Sequence, residues 1–477
     1  MKLIFELSKE GKEGFHIEEE EGRIKLPENI IRDEIEEFPE VTEREVVSHY
    51  LRLSVMNYSE DWGLYPLGSC TMKYNPKVNE LIASFFTGAH PLLPEKLVEG
   101  NLRIFKELEE ALKKITGLDA FTLAPAAGAH GEFTGITIIK NYFEARGESR
   151  EIVLIPDSAH GTNPASSALA GYKAVEIPSD IHGRINLEKF KEALSEKVAA
   201  LMITNPNTLG IFESNIRKIA DLLHEKGAFL YMDGANMNAF LGKVIVSDLG
   251  VDVMHLNLHK TFSTPHGGGG PGSGPVGVIK ELEPFLPGPR LIEKNGNLHW
   301  VPGKGRIRSF YGNFLVLVKA LAYIKELGGE GLREVADLAV LNANYLRAKL
   351  TSNYKISYDT PTLHEFVLTD ETYRDKVSTL DIAKRLLDYG FHPPTIYFPL
   401  IVHGALMIEP TETESKETLD EFVNAMLKIK KEAEDNPNLL HEAPHTTPVR
   451  RLDEVGAARN PVLTYMEVKN NQNLEAH

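Results

Sequence analysis

The most informative part of the sequence is the ten-residue stretch VDVMHLNLHK, residues 251–260. Its first half alternates in a β-prone pattern that predicts a short strand, and the small residues and glycine run that follow predict a loop. Lys260 would then lie at a strand end, where burial can lower the pKa of its amine and make it nucleophilic, as a Schiff-base lysine requires. A surface lysine in a flexible loop is the alternative, and this stretch alone does not decide between them.

The overall composition is that of a globular protein. The chain has 477 residues, of which 42% are hydrophobic and 25% charged, an ordinary balance for a folded chain with room for a large core. Acidic residues outnumber basic residues by 68 to 52, so the formal net charge is −16. This excess of negative charge argues against nucleic acid or an anionic membrane as the main partner.

The cysteine content and the N-terminal sequence indicate in which cellular compartment the protein is located. Cys70 is the only cysteine, so the chain can form neither an internal disulfide nor a cysteine-based metal cluster. We expect Cys70 to be buried and unreactive, and we assign no metal-binding residue. Residues 1–15 lack the apolar core of a secretory signal, and no apolar run approaches a membrane span. These features predict a cytoplasmic protein that does not contact a membrane.

Beyond this stretch, β-prone runs alternate with helical patterns over about 160 residues. The strand candidates are residues 120–123, 152–156, 174–178, 199–204, 229–233, 253–257 and 276–279. The helical candidates between them include residues 131–145, 187–195 and 215–225. Such alternation predicts an α/β fold with a mainly parallel sheet, in which the loops at the carboxyl ends of the strands form the ligand crevice.

The pattern changes near residue 328 and divides the chain into three parts. We predict an N-terminal segment (1–75), a large domain (76–327), and a smaller α+β C-terminal domain with a tail (328–477). The last part contains helical patterns at 331–350, 380–388 and 413–434 and strand-like runs at 397–407. Within the first part, residues 65–76 are too apolar for a free linker.

The first two strand ends carry small residues and histidines. After the first strand, a small-residue turn through Gly128, Ala129 and His130 opens into a helix. The free N–H groups of a helix N-terminus can bind a phosphate, although a tight strand–helix turn is the alternative. His160 follows the second strand, where it could stack on an aromatic ring or be a core histidine with satisfied nitrogens.

The next two strand ends carry an amide and a carboxylate. Asn205 offers a hydrogen bond or, alternatively, forms an Asx-turn. Asp233 ends a hydrophobic strand and begins the motif Asp-Gly-Ala-Asn, in which Ala235 is the third residue. A buried carboxylate needs a positive partner, so Asp233 could be a metal ligand, a helix cap or the partner of a protonated heteroaromatic nitrogen.

Together these residues are the groups that pyridoxal phosphate requires. They comprise a phosphate seat, a lysine for covalent attachment, a side chain to cover the ring, and an acid that keeps the pyridine nitrogen protonated. Each signal is weak alone, whereas their order along successive strand ends is specific.

The motifs around these residues resemble those of the glycine cleavage system P-protein family, which are pyridoxal-phosphate glycine decarboxylases of the aminotransferase-like superfamily of fold type I. The resemblance covers nearly the whole chain, and the family has a form split into two chains, of which this sequence resembles the one that keeps the lysine. The matching motifs are YPLGSCTMK (65–73), APAAGAH (124–130), HGTNP (160–164), MDGAN (232–236) and LHKTF (258–262).

The resemblance implies a role for each candidate site residue. Lys260 would carry the cofactor, and Asp233 would pair with its pyridine nitrogen. His160 would stack on the ring, with His130 as the alternative. The remaining cofactor-binding residues would be Asn205 at the ring oxygen, Gly128, Ala129 and His259 at the phosphate, and Ala235 beside Asp233.

The resemblance also implies an activity and partners. Glycine would lose CO₂, and its aminomethyl group would pass to the lipoyl arm of the H-protein. A companion P-protein subunit without the lysine would form a hetero-oligomer with two copies of each chain, through apolar residues such as 65–74 and 300–302, unless these are buried within the chain. Another fold-type-I decarboxylase or aminotransferase, or a subunit that only scaffolds a partner, is the alternative function.

Overall fold

The predicted strands form a seven-stranded sheet in this computed structural model, which describes residues 2–16, 26–32, 35, 37–90, 92–267 and 272–475. The strand order is β1-β7-β6-β5-β4-β2-β3. Strands β2 to β6 are parallel, and β7 is antiparallel to both of its neighbours. The strands are β1 (Ala120–Thr122), β2 (Ile152–Pro156), β3 (Lys173–Ile177), β4 (Val198–Thr204), β5 (Phe229–Gly234), β6 (Val253–Leu256) and β7 (Val276–Val278).

Helices cover both faces of this sheet, which is why its central strands are continuous apolar runs rather than alternating ones. Leu201 and Ile203 of β4 belong to one apolar cluster, whereas Ala200 and Met202 belong to another on the opposite face. The helices are α1 (Glu43–Ser54), α2 (Lys77–Ser84), α3 (Glu99–Thr116), α4 (Gly128–Ala145), α5 (Thr162–Leu169), α6 (Leu187–Ala193), α7 (Ile216–Glu225), α8 (Phe314–Leu350), α9 (Thr379–Asp388), α10 (Lys416–Asp435), α11 (Pro437–His441), α12 (Glu454–Arg459) and α13 (Tyr465–Glu475).

A second, smaller sheet lies in the C-terminal part. It is antiparallel with the order β10-β12-β11. The long helix α8 is interrupted at Gly328, which has a φ of +60°, and its second half packs with α9 and α10 in an apolar cluster of their own. The remaining strands are β8 (Arg290–Lys294), β9 (Asn297–Val301), β10 (Phe366–Thr369), β11 (Thr395–Ile396) and β12 (Ala405–Ile408).

The structure divides into two units, Glu60–Thr446 and a second one made of Met1–Ser59 and Thr447–His477. The sheets and the candidate site belong to the first unit. In the second, α1 begins after Thr42, whose hydroxyl accepts a hydrogen bond from the N–H of Glu45 while the Glu45 carboxylate accepts one from the N–H of Thr42. This capping box fixes the start of the helix. Among the described residues, no helix is both long and apolar enough to cross a membrane.

Candidate active site

A cavity of about 180 Å³ lies at the carboxyl ends of β4 and β5 and at the start of α4. Its position agrees with the crevice expected for parallel α/β sheets. The predicted site residues that line it are Gly128, Ala129, His160, Asp233, Ala235 and Lys260. Those that are not in its lining are His130, Asn205 and His259.

The start of α4 forms one wall of this cavity. A Cβ atom on Gly128 would lie 2.6 Å from the side-chain nitrogen of Asn257, so only glycine allows the helix to begin this close to the asparagine. The first N–H groups of a helix have no acceptor within it and can bind an anion. Asn257 Oδ1 and Thr204 Oγ1, whose residues also line the cavity, are buried without hydrogen-bond partners among the described residues. These unsatisfied groups fit a polar ligand.

Asp233 is buried at the end of β5 and is held as a carboxylate. Its Oδ2 accepts a hydrogen bond from Asn163 Nδ2 at 3.0 Å, and its Oδ1 accepts one from the Ala235 N–H at 3.0 Å. The Nε2 atom of His255 lies 3.3 Å from Oδ1. Burial opposes ionisation, but His255 and the two hydrogen bonds hold the pKa of Asp233 below its ordinary value.

A hydrogen-bonded chain connects His160 to Asp233. The Nδ1 atom of His160 lies 2.8 Å from the hydroxyl oxygen of Thr162, and that hydroxyl donates to Glu132 Oε1 at 2.8 Å. The other oxygen of Glu132 accepts a hydrogen bond from Asn163 Nδ2 at 3.2 Å, and Asn163 also donates to Asp233. Glu132 therefore orients two of the predicted site residues through their neighbours.

Lys260 lies four residues after the end of β6 and is half-buried in the cavity wall. Its Nζ donates a hydrogen bond to the carbonyl oxygen of Ser69 at 2.6 Å. Ser69 has a φ of +65°, a left-handed conformation that is uncommon outside glycine. His364 and Glu365 line the same cavity.

Two of the three residues outside the lining have side-chain oxygens or nitrogens committed elsewhere. The Nδ1 atom of His130 accepts a hydrogen bond from the Ala126 N–H at 3.2 Å, and burial together with Arg308 lowers the pKa of His130. The Oδ1 atom of Asn205 accepts one from the Glu213 N–H at 3.0 Å, while its Nδ2 is buried without a partner among the described residues.

His259 lies beside Lys260 but faces the loop that follows. Its ring is edge-on to His266, with 5.1 Å between the ring centroids. Burial, His266 and Lys260 together lower the pKa of His259 to about 3, so its ring is neutral. Residues 268–270 of the predicted glycine run lie outside the described residues.

The sequence did not predict Glu132, His364 or Glu365 as site residues. Glu132 lies on the buried, mostly apolar face of α4, which is a usable signal because a buried acid there needs a partner. His364 and Glu365 precede β10, a strand that the sequence pattern did not reveal. Cys70 is half-buried rather than buried as expected, although the burial that it has raises the pKa of its thiol.

Comparisons with known proteins extend over nearly the whole chain. Residues 131–364 match the aminotransferase class-V family, and residues 335–445 match the C-terminal domain of glycine dehydrogenase. A relative from Caldanaerobacter subterraneus subsp. tengcongensis is 58% identical over 97% of this chain and 98% of its own. One from Pyrococcus horikoshii is 55% identical over 98% and 96%. Both carry the name "Probable glycine dehydrogenase (decarboxylating) subunit 2".

Solved structures with the same fold include a glycine decarboxylase (P-protein) of the glycine cleavage system in inhibitor-bound form. It has a TM-score of 0.72 and 23% identity, over 85% of this chain and 93% of its own. A sphingosine-1-phosphate lyase from Burkholderia pseudomallei has a TM-score of 0.61 and 16% identity, over 88% and 94%. The predicted α/β, aminotransferase-like fold is thus confirmed. With relatives above 50% identity along almost its full length, the chain belongs to the family of glycine dehydrogenase (decarboxylating) subunit 2.

Proposed function

We propose that this chain is the pyridoxal-phosphate-binding subunit of a glycine decarboxylase, which removes CO₂ from glycine and passes the aminomethyl group to the lipoyl arm of the H-protein. The observation that carries the proposal is the single cavity in which Lys260, Asp233 and the start of α4 meet. The family to which the chain belongs supports glycine as the substrate.

The residues of the cavity fit pyridoxal phosphate. The N–H groups of Gly128 and Ala129 would bind the phosphate at the positive end of the α4 dipole. The carboxylate of Asp233 would hold a proton at the pyridine nitrogen, and Lys260 would provide the amine for covalent attachment. When bound, the cofactor supplies a protonated ring that accepts the electrons released as CO₂ leaves.

The other predicted residues would hold and cover the ring. His160 lines the cavity and is oriented through Thr162 and Glu132, which favours it over His130 as the stacking residue. Ala235, whose N–H donates to Asp233, would leave room on the other face because its side chain is small. Asn205 and His259 would act from just behind the lining, at the ring oxygen and the phosphate respectively.

The cavity residues would also exclude water and prevent side reactions. Burial keeps the pKa of His364 at about 3, with Lys260 adding to this effect, so the wall facing Lys260 contributes an uncharged ring. A site with few mobile charges favours release of neutral CO₂ over retention of a carboxylate.

The partners and location follow from the same proposal. The chain would assemble with a companion subunit 1 as a hetero-oligomer of two copies each, and lipoylated H-protein would dock at the cavity mouth. With a single cysteine and no internal disulfide, we place this assembly in the reducing cytoplasm.

Exchange of labelled CO₂ into glycine tests this function. The chain is assayed with pyridoxal phosphate and lipoylated H-protein, with and without the companion subunit, beside the variants Lys260→Ala and Lys243→Ala. Lys243 is a surface residue paired with Asp337 and serves as the control. We expect exchange in the complete mixture, its loss with Lys260→Ala and no change with Lys243→Ala. Exchange that survives Lys260→Ala would refute the proposal.

A further inference from the structure

Two buried carboxyl groups to which the proposed function gives no role lie beside Lys260. Glu365 lines the same cavity as Lys260, and Glu409 is fully buried behind it. An oxygen of each carboxyl and a ring nitrogen of His364 lie within 4.8 Å of one another. Two carboxylates this close repel each other strongly in a buried setting, so both cannot be ionised at neutral pH.

The hydrogen bonds of the two carboxyl groups differ. Glu409 accepts bonds from Asn236 Nδ2 at 2.7 Å, from the Thr71 hydroxyl at 2.8 Å and from the Thr71 N–H at 3.1 Å. Glu365 accepts one from the Ser69 N–H at 2.8 Å. Because hydrogen-bond donors stabilise the charged form of a carboxyl group, the negative charge belongs on Glu409 and the proton on Glu365.

The buried side chain of His364 is a second, independent indication that this group of residues interacts with a molecule in the cavity. It is 1% exposed, it lines the cavity, and neither of its ring nitrogens has a hydrogen-bond partner among the described residues. Its Nε2 lies 3.7 Å from Oε1 of Glu365. An unpartnered imidazole at this position is well placed to accept a hydrogen bond from a protonated carboxyl group or from a molecule in the cavity.

The titratable groups that face Glu365 determine how many protons Glu365 and Glu409 hold together. These groups are Glu409, Lys260, His364 and Cys70. Burial, and then Glu409, raise the pKa of Glu365 well above its ordinary value, while Lys260 acts in the opposite direction. Burial raises the pKa of Glu409 to about 7 against its hydrogen bonds from Asn236 and Thr71. With His364 and Cys70 neutral, one cation faces one negative charge.

We propose that Glu365 is a further acid–base residue of this site, which holds one proton shared with Glu409 and exchanges it with the Lys260 amine across the cavity. In the forward direction an N–H bond of the Lys260 ammonium breaks and an O–H bond of Glu365 forms, while the proton already on Glu365 passes to Glu409, so that an ammonium, an acid and a carboxylate become an amine and two acids. The reverse step restores all three. The exchange rests on the proposed role of Lys260, whereas the shared proton does not.

Infrared titration of the cofactor-free full chain tests the shared proton. The variants are Glu365→Gln and, as a control, Glu414→Gln, because the pKa of Glu414 is also raised to about 7, by burial and Glu412, yet Glu414 is not in the cavity lining. We expect a protonated-carboxyl band that persists above about pH 7, is lost in Glu365→Gln and is retained in Glu414→Gln. A band that persists in Glu365→Gln would overturn the proposal.

A second variant keeps the test valid if Glu365→Gln does not fold. In Glu409→Gln the repulsion between the carboxyl groups is gone, so the midpoint of the remaining band should fall by about one pH unit or more. An unchanged midpoint would mean that the two residues do not share a proton.

The exchange with Lys260 is tested by adding pyridoxal phosphate and following the visible absorbance of its covalent link across the pH range. Glu365→Gln should form the link at least about 10-fold more slowly at neutral pH, with an altered pH profile, whereas Glu414→Gln should match the wild type. Identical profiles for Glu365→Gln and wild type would refute the exchange. If wild-type protein fails to bind the cofactor, the proposed function fails while the infrared result stands.

Discussion

Asp233 is the residue whose environment most clearly matches one chemical task. Burial would ordinarily neutralise a carboxyl group, yet His255, Asn163 and the Ala235 N–H hold its pKa down. This arrangement maintains a negative charge in a place where a charge is costly. A protonated ring nitrogen that pairs with the Asp233 carboxylate would offset the unfavourable free energy of burying this charge.

The variant Asp233→Asn tests this role. The amide keeps the size of the side chain but removes the charge, so the bound ring would lose the proton that lets it accept electrons. We expect kcat for glycine-dependent CO₂ exchange to fall on the order of 100-fold, while cofactor binding remains visible by absorbance. Asp337→Asn, at an exposed position, is the control. Full activity in Asp233→Asn would contradict the role.

Local sequence signals identified some site residues and missed others. Asp233 and Lys260 were predictable because strand periodicity and turn residues lie within a few positions of them. Glu365 was not, since its partner Ser69 is 296 positions away, and no local pattern encodes that contact. Glu132 accepts hydrogen bonds from residues 30 and 31 positions later, and it was not predicted for the same reason.

The motif at residues 65–73 acts as a structural element although it is neither helix nor strand. Leu67 bridges to Ile408 of β12, the central strand of the smaller sheet. A Cβ atom on Gly68 would lie 2.3 Å from Met407 Cγ, so this glycine permits the close approach. Lys73 then ends the motif in a buried ion pair with Glu412, at 2.6 Å, and donates to the carbonyl of Thr261, next to Lys260, at 2.8 Å.

The variant Lys73→Met should destabilise the protein strongly. It leaves Glu412 buried without its cation, and breaking a buried ion pair in this way costs about 3–5 kcal/mol in the free energy of unfolding. Denaturant unfolding measures the loss. Arg103→Ala, which removes an exposed pair with Glu99, should have no measurable effect. Equal stability of the two variants would show that the buried pair does not support the motif.

Secondary structure was predictable where its periodicity was long and strong. The helical pattern at 131–145 became most of α4, whereas the run at 397–407 is mainly a loop, and only its last three residues lie in β12. The hairpin of β8 and β9 was missed even though Asn295 and Gly296, both with positive φ, supply a two-residue turn signal. Its core-packed residues Leu291, Leu298 and Trp300 lie among polar residues in strands of only five positions, which is too short a pattern to recognise from the sequence.

At the scale of the whole molecule, the alternation of strands and helices predicted the α/β fold class. The order of the strands did not follow, because the antiparallel insertion of β7 between β1 and β6 depends on contacts between distant segments. The boundaries 1–75, 76–327 and 328–477 remain predictions.

The apolar surface available to a partner differs from the one we expected. Of residues 65–74, residues 65–73 are buried or half-buried and only Tyr74 is exposed, and Trp300 packs against Phe105 and Tyr311. In contrast, Val78, Leu81 and Phe85 are exposed along one face of α2 and its C-terminal end. Since relatives carry the name "subunit 2", we expect the proposed companion subunit to cover this face.

Light scattering of the chain alone and mixed with subunit 1 tests this assembly. The mixture should show the mass of two copies of each chain, and the double variant Leu81→Lys, Phe85→Glu should weaken association at least about 10-fold, because a charge would be buried in an apolar contact. Ile181→Glu, at an exposed apolar residue elsewhere, is the control. Unchanged association in the double variant would exclude this face.

Borohydride reduction of the cofactor-loaded protein, followed by peptide mapping, tests the assignment of Lys260 most directly. Reduction makes the lysine–cofactor link permanent, and the mapped peptide identifies the lysine. We predict a single label on Lys260 and none on the variant Lys260→Ala. A label on another lysine, such as the buried Lys73, would contradict the account.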